Sequence, residues 1–181
     1  MIDSVLDQPV VHGFPGADRP SFLASHRALA ACSRELARLA TDVVRAVAAL
    51  SDMGVDDKPV ERLSPHRCIV QLGPVALTLT WLRSTFDTVA DGDLLVIGWR
   101  GAVAPGGEHL PERTTVRRSP IAPTALWEDV FAAGGTDEAS WMWQSKNADA
   151  RGYSSMELAA LSADRLRLAY EECRAPGHDP A

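Results

Sequence analysis

The chain has 181 residues, with 18 Lys and Arg against 24 Asp and Glu, a formal charge of −6 and a pI near 5.3. That length suits one domain with one sizeable core, and 46% hydrophobic with 23% charged residues excludes wholesale disorder or a fibrous repeat. The acidic balance has the wrong sign for a polyanion binder, so a nucleic-acid partner is disfavoured.

No apolar run approaches the roughly 18 residues of a membrane span. The start, Met1 to Asp7, is acidic where a secretory signal would be basic. A soluble cytoplasmic chain without a membrane partner is the expectation. Cys32, Cys68 and Cys173 are an odd set with no C-x-x-C spacing, which predicts free thiols. Sixteen of the 18 basic residues are Arg, a bias that fits a GC-rich genome as well as any recognition role.

Residues 1–20 hold Pro9, Gly13, Pro15, Gly16 and Pro20 and read as a flexible arm. A single domain is expected over 21–174. It opens with an apolar stripe at Leu29, Cys32, Leu36, Leu39, Val43, Val47 and Leu50, whose alternating spacings of three and four predict a long helix over 21–52. Residues 54–66 read as a polar connecting loop. The period then drops to two: 67–72 and 75–82 form a hairpin around Gly73-Pro74, with Val75, Leu77, Leu79 and Trp81 on the buried face.

Asp91-Gly92 predicts a type I′ turn, and Leu94 to Trp99, apolar on both faces, predicts a central strand. Arg113 to Arg118 is expected to return as a more exposed strand, 124–131 as a short helix capped by Thr124, and 140–144 as a last extended segment. Ser154-Ser155-Met156-Glu157 is a capping-box pattern ahead of a helix ending near Arg174, and 175–181 is a disordered tail. The fold class is therefore α+β: an antiparallel four- to five-stranded meander sheet packed by a long N-terminal and a C-terminal helix.

The strong catalytic motifs are missing. The chain has no G-x-x-x-x-G-K-[ST], no G-x-G-x-x-G opening a helix, no H-E-x-x-H and no G-x-S-x-G. No catalytic residue and no cofactor is assigned. His66 and Cys68, at i and i+2, would share a strand face and supply two borderline ligands. A buried thiol beside a solvated imidazole explains them as well, so no metal is assigned.

The five tryptophans outweigh the other signals, because indoles favour places where an apolar body needs a polar handle. Trp141 and Trp143 are expected on one strand face, and Trp81 and Trp99 on neighbouring strands. If the pairs meet they form an aromatic wall, edged by Arg83 and Arg100 and approached by Arg117 and Arg118. Binding residues are placed at Trp81, Trp99, Arg100, Arg117, Arg118, Trp141 and Trp143. The bland reading is that the indoles fill the core.

Two functions follow. The favoured one is a non-enzymatic protein-interaction module, such as an adaptor, immunity-type protein, secretion chaperone or assembly factor, holding another protein through the aromatic and arginine face. The other is a small-molecule-binding or catalytic domain with its pocket between sheet and helices. Convergence of those residues on one concave pocket, against their spread over a flat face, discriminates the two. The long helix also raises the possibility of a homodimer through its stripe.

Overall fold

A computed structural model describes residues 21–50, 54–83, 87–103, 122–147 and 150–175. The expected arm at 1–20, the strand at 113–118 with Arg117 and Arg118, and all but the first residue of the tail lie outside the described residues. Over the described residues the architecture is α+β, as expected from the sequence, with one antiparallel sheet and two α-helices. The sheet is larger than expected: seven strands in simple meander order, β1 (Val60–Ser64), β2 (Arg67–Leu72), β3 (Val75–Arg83), β4 (Gly92–Arg100), β5 (Thr124–Gly134), β6 (Met142–Ser145) and β7 (Gly152–Tyr153).

The first helix, α1, runs His26–Ala48 and is preceded by a 3₁₀ turn at Phe22–Ala24, so it is shorter than the 21–52 span expected. Ser25 ends the 3₁₀ turn and caps α1: its backbone is extended, and its hydroxyl oxygen accepts from the Ala28 N–H. Of the predicted stripe, Cys32, Leu39, Val43, Val47 and Leu50 are buried, while Leu29 and Leu36 are half-buried. It is taken up inside the chain, against the second helix and the sheet. That helix, α2 (Ser155–Arg174), starts at the capping box read from the sequence: the Ser154 hydroxyl accepts from the Glu157 N–H, and the Glu157 carboxylate accepts from the Ser154 N–H at 2.8 Å.

Alternation sends Cys68, Val70 and Leu72 of β2, the odd residues of β3 from Val75 to Trp81, Leu94 and Val96 of β4, Phe131 of β5 and Trp143 of β6 to the helix side, where they form one core with both helices. The opposite side of β3 and β4 carries Ala76, Thr78, Leu95, Ile97 and Trp99. β4 is the middle strand, as its two apolar faces predicted.

Three expectations are corrected. The segment 124–131 is not a helix but most of the eleven-residue β5. Its alternation is hidden by a bulge, where Gly98 faces Trp127 while Trp99 faces Ala125, and by Asp129, which points to the helix side because Arg165 of α2 meets it there. The segment 54–66 is not all loop, since it contains β1, an edge strand exposed at every residue and so without an apolar face to reveal it. Asp91-Gly92 is not a type I′ turn, because neither residue has positive φ. Gly92 instead opens β4 and lets the Trp81 ring lie over it, where a Cβ would stand 2.2 Å from a ring carbon.

Candidate functional site

The tryptophans singled out from the sequence divide between core and outer face. Trp81, Trp141 and Trp143 meet on the helix side as an edge-to-face chain, with centroids 5.8 Å apart for Trp81 and Trp143 and 5.6 Å for Trp141 and Trp143, and Phe22 extends the chain to Trp141. All three are buried. The Trp143 N–H donates to the Ser155 hydroxyl at 3.0 Å, and that hydroxyl donates to the Glu35 carboxylate at 2.7 Å, a relay that ties β6 to the start of α2 and the middle of α1.

Trp99 does not join Trp81: the unbroken β3–β4 register places it on the opposite side of the sheet, where its N–H donates to the Thr78 hydroxyl at 3.0 Å. Arg100 ends β4 in an exposed position. No aromatic wall joining the two pairs therefore forms. The physical reason is parity, since Trp81 lies opposite Leu94, and Leu94 and Trp99 are an odd number of residues apart.

His66 and Cys68 also differ from the shared strand face expected of them. His66 lies in the two-residue turn Pro65-His66 that joins β1 to β2, and its carbonyl accepts from the Trp81 N–H at 2.9 Å. Cys68 points into the core. Burial pushes its thiol up to about 12, with the Glu61 carboxylate adding to the rise, and burial raises Cys32 to about 12 against the lowering effect of Arg83. Both are neutral, weakly polar core groups at neutral pH. Among the described residues no group of three or more His, Cys, Asp or Glu could hold a metal ion.

Among the described residues two larger recesses border α1. One, about 370 Å³, lies between α1, the β5–β6 loop and the start of α2. Its charged groups largely neutralise one another: Glu138 takes Arg27 at 3.2 Å and Arg34 at 2.6 Å, while Glu35 takes Ser155 and lies 3.9 Å from Arg38. Trp141 also lines it, and the buried indole N–H of Trp141 has no hydrogen-bond partner.

The other recess, about 300 Å³, runs under α1 at the free end of the β1–β2 hairpin. Its α1 side is Ser33, Leu36, Ala37 and Ala40, its hairpin side is the run Ser64-Pro65-His66-Arg67-Cys68, and its floor is Leu39, Leu79, Trp81 and Leu94. Small residues at 37 and 40 on the helix leave the opening. The floor reaches residues that are 1% (Leu39) and 0% (Leu94) exposed, so this is a cleft into the core.

Among the described residues no carboxylate lines the groove. The Ser33 hydroxyl donates to the Leu29 carbonyl and the Ser64 hydroxyl to the Arg67 carbonyl, so neither is held by a side-chain base. Of the described residues among those singled out from the sequence for binding, only Trp81 lines this groove. The others that form it are apolar or small and individually indistinct. The one local signal was a proline turn followed by His-Arg-Cys, polar at the tip and apolar within two residues. Compared with models of protein families, with curated proteins and with solved structures, the chain finds no match.

Proposed function

We propose that this chain is a non-catalytic binding domain that encloses an apolar small molecule, or the apolar end of one, between α1 and the hairpin end of the sheet. The observation that carries this reading is the cleft that passes from the surface beneath α1 to the fully buried Leu39 and Leu94. Its volume stands at the lower end of the range of small-molecule sites, about 300–1,000 Å³. Its lining favours binding over reaction. The Cys68 thiol is held protonated by burial, and the two serine hydroxyls are committed to backbone carbonyls.

A titration with 1-decanol followed by thermal unfolding tests the reading. A ligand that binds only the folded chain raises stability by about 2.7 kcal/mol at a hundredfold excess over its Kd. On a domain of this size that is worth about 5–10 °C in Tm. Ala40→Phe, which puts a ring into the groove from α1, should abolish the shift while leaving the fold intact. Absence of any shift in the natural sequence across a series of apolar probes overturns the proposal.

A protein-interaction role is the second reading, and a different observation favours it. Among the described residues β1 is an edge strand with a neighbour on one side only, and it exposes Val60 (48%) and Leu63 (56%). Such an edge can accept an extended segment of another protein as an eighth strand. A partner bound in this way would protect the outward-facing amides of residues 60–64 from hydrogen exchange.

A further inference from the structure

We propose that the free edge of β1 takes an extended acidic segment of a partner protein as an eighth strand, with a carboxylate of that segment in the recess lined by Arg62 and Arg67 on the side of the sheet away from the helices. This rests on the edge-strand reading and adds the chemistry of the partner. Among the described residues β1 ends the sheet, and it is exposed at every position. Its pairing with β2 sorts its side chains. Glu61 and Leu63 stand opposite Val70 and Cys68, which face the core, and so belong to the helix side. The action of the Glu61 carboxylate on the Cys68 thiol agrees with that placement. Val60, Arg62 and Ser64 stand opposite Gln71, Ile69 and Arg67 and belong to the outer side.

The outer side of this edge therefore carries charge of one sign. A recess of about 90 Å³ there is lined by Arg62, Leu63, Ser64, Arg67 and Ile69, and among the described residues no carboxylate lines it. Arg67 is exposed and forms no ion pair with any described residue. In a chain of charge −6 this is a local inversion of sign. Charged side chains on an edge ordinarily deter pairing, but a single sign on one side deters only a strand that repeats it. A second copy repeats it: antiparallel self-pairing over the whole of β1 sets Arg62 against the Arg62 of the second copy, and like charges directly opposite are destabilising. A phosphodiester chain lacks the alternating N–H and C=O groups that a strand edge pairs with. An acidic peptide strand supplies both halves of the match. A glutamate opposite Ser64, the small residue paired with Arg67, enters the recess, where a guanidinium fork takes a carboxylate by parallel hydrogen bonds. The next residue of that strand turns to the helix side, where an apolar side chain covers Leu63, which is 56% exposed.

The test is titration of the full chain with the capped peptide acetyl-Ser-Val-Glu-Val-Glu-Val-Ser-amide and with its glutamine and lysine counterparts, followed by calorimetry and by residue-resolved hydrogen exchange. The glutamate peptide should protect the outward-facing amides of residues 60–64. It should bind about fivefold more tightly than the glutamine peptide, the upper reach of an exposed ion pair, and the lysine peptide should bind weakest. Arg67→Gln should erase the preference for glutamate over glutamine and leave binding of the glutamine peptide unchanged, whereas Arg100→Gln, at the exposed end of β4, should change neither. Equal affinity for the glutamate and glutamine peptides, preference for lysine, or an undiminished preference in Arg67→Gln overturns the acidic assignment while the edge-strand reading stands. Failure of all three peptides to bind overturns both. Protection of the same amides in the free chain overturns the proposal as well: if it grows with chain concentration a second copy holds the edge, and if it does not, another segment of the same chain does.

Discussion

Removing the Ser155 hydroxyl is the sharpest single probe of how the helices are fixed to the sheet. That oxygen stands between the N–H of Trp143, which is 0% exposed, and the carboxylate of Glu35. Ser155→Ala leaves the buried indole N–H without its acceptor, a loss of about 1–3 kcal/mol. Trp143→Phe removes the same hydrogen bond together with part of a ring packed between Trp81 and Trp141, so lost burial and the cavity add to it, for about 3 kcal/mol in all. Once the indole is gone there is no donor left to orphan, so adding Ser155→Ala to Trp143→Phe should cost less than it does alone, with a coupling of about 1 kcal/mol. Urea unfolding of the four proteins closes the cycle, and about 1 kcal/mol is worth roughly 2–4 °C in Tm for a chain of this length. Additivity within about 0.4 kcal/mol would refute the relay.

Other consequences are simpler to read. A thiol reagent at about pH 8 should label Cys32 and Cys68 negligibly in the native chain, since both are buried and held near 12, and all three cysteines in denaturant; rapid native labelling of either would contradict their placement. Gly98→Val should destabilise by about 1–3 kcal/mol, because a Cβ there would stand 2.2 Å from the Trp127 ring, and the ring can leave only by giving up its stacking with the Arg165 guanidinium at 4.8 Å. Ser154→Ala should cost about 1 kcal/mol in chemical unfolding through loss of the α2 cap.

The same cap has a pH signature. The Glu157 carboxyl is held below its usual range by the backbone N–H and hydroxyl of Ser154. A depressed folded value contributes stability that is present above the unfolded value and is lost as pH falls through the folded one. Glu157→Gln should therefore flatten the acid limb of the stability profile and leave its neutral limb unsloped. An unchanged acid limb would deny the capping carboxylate any role.

How much of this fold could be read in advance depended on whether an element carried a one-sided apolar pattern. α1 and α2 were legible because a stripe and a capping box are local signals. β2, β3 and β4 were legible because one or both of their faces are buried and the period of two survives. β1 was not, because an edge strand with neither face buried has no pattern to show. β5 was misread because Leu126, Trp127, Val130 and Phe131 fall at spacings that suit a helix, while what makes the segment a strand is remote: the flat seat of Gly98 for Trp127, and Arg165 of α2 drawing Asp129 to the core side. Tertiary partners decided the conformation where local preference was ambiguous.

The candidate site was less legible than the fold, for a geometric reason. The aromatic residues were the conspicuous chemistry in the sequence, and three of the five are consumed in holding the sheet to its helices. The groove is built from four separate stretches, around Ser33 to Ala40, Ser64 to Cys68, Leu79 to Trp81, and Leu94, none of which looks like a binding motif alone. What opens it is a shortfall of packing: Ala37 and Ala40 are too small to close α1 onto the hairpin tip. A sequence displays the residues that fill space. It does not display where they fail to, because that depends on how far apart the backbones come to rest.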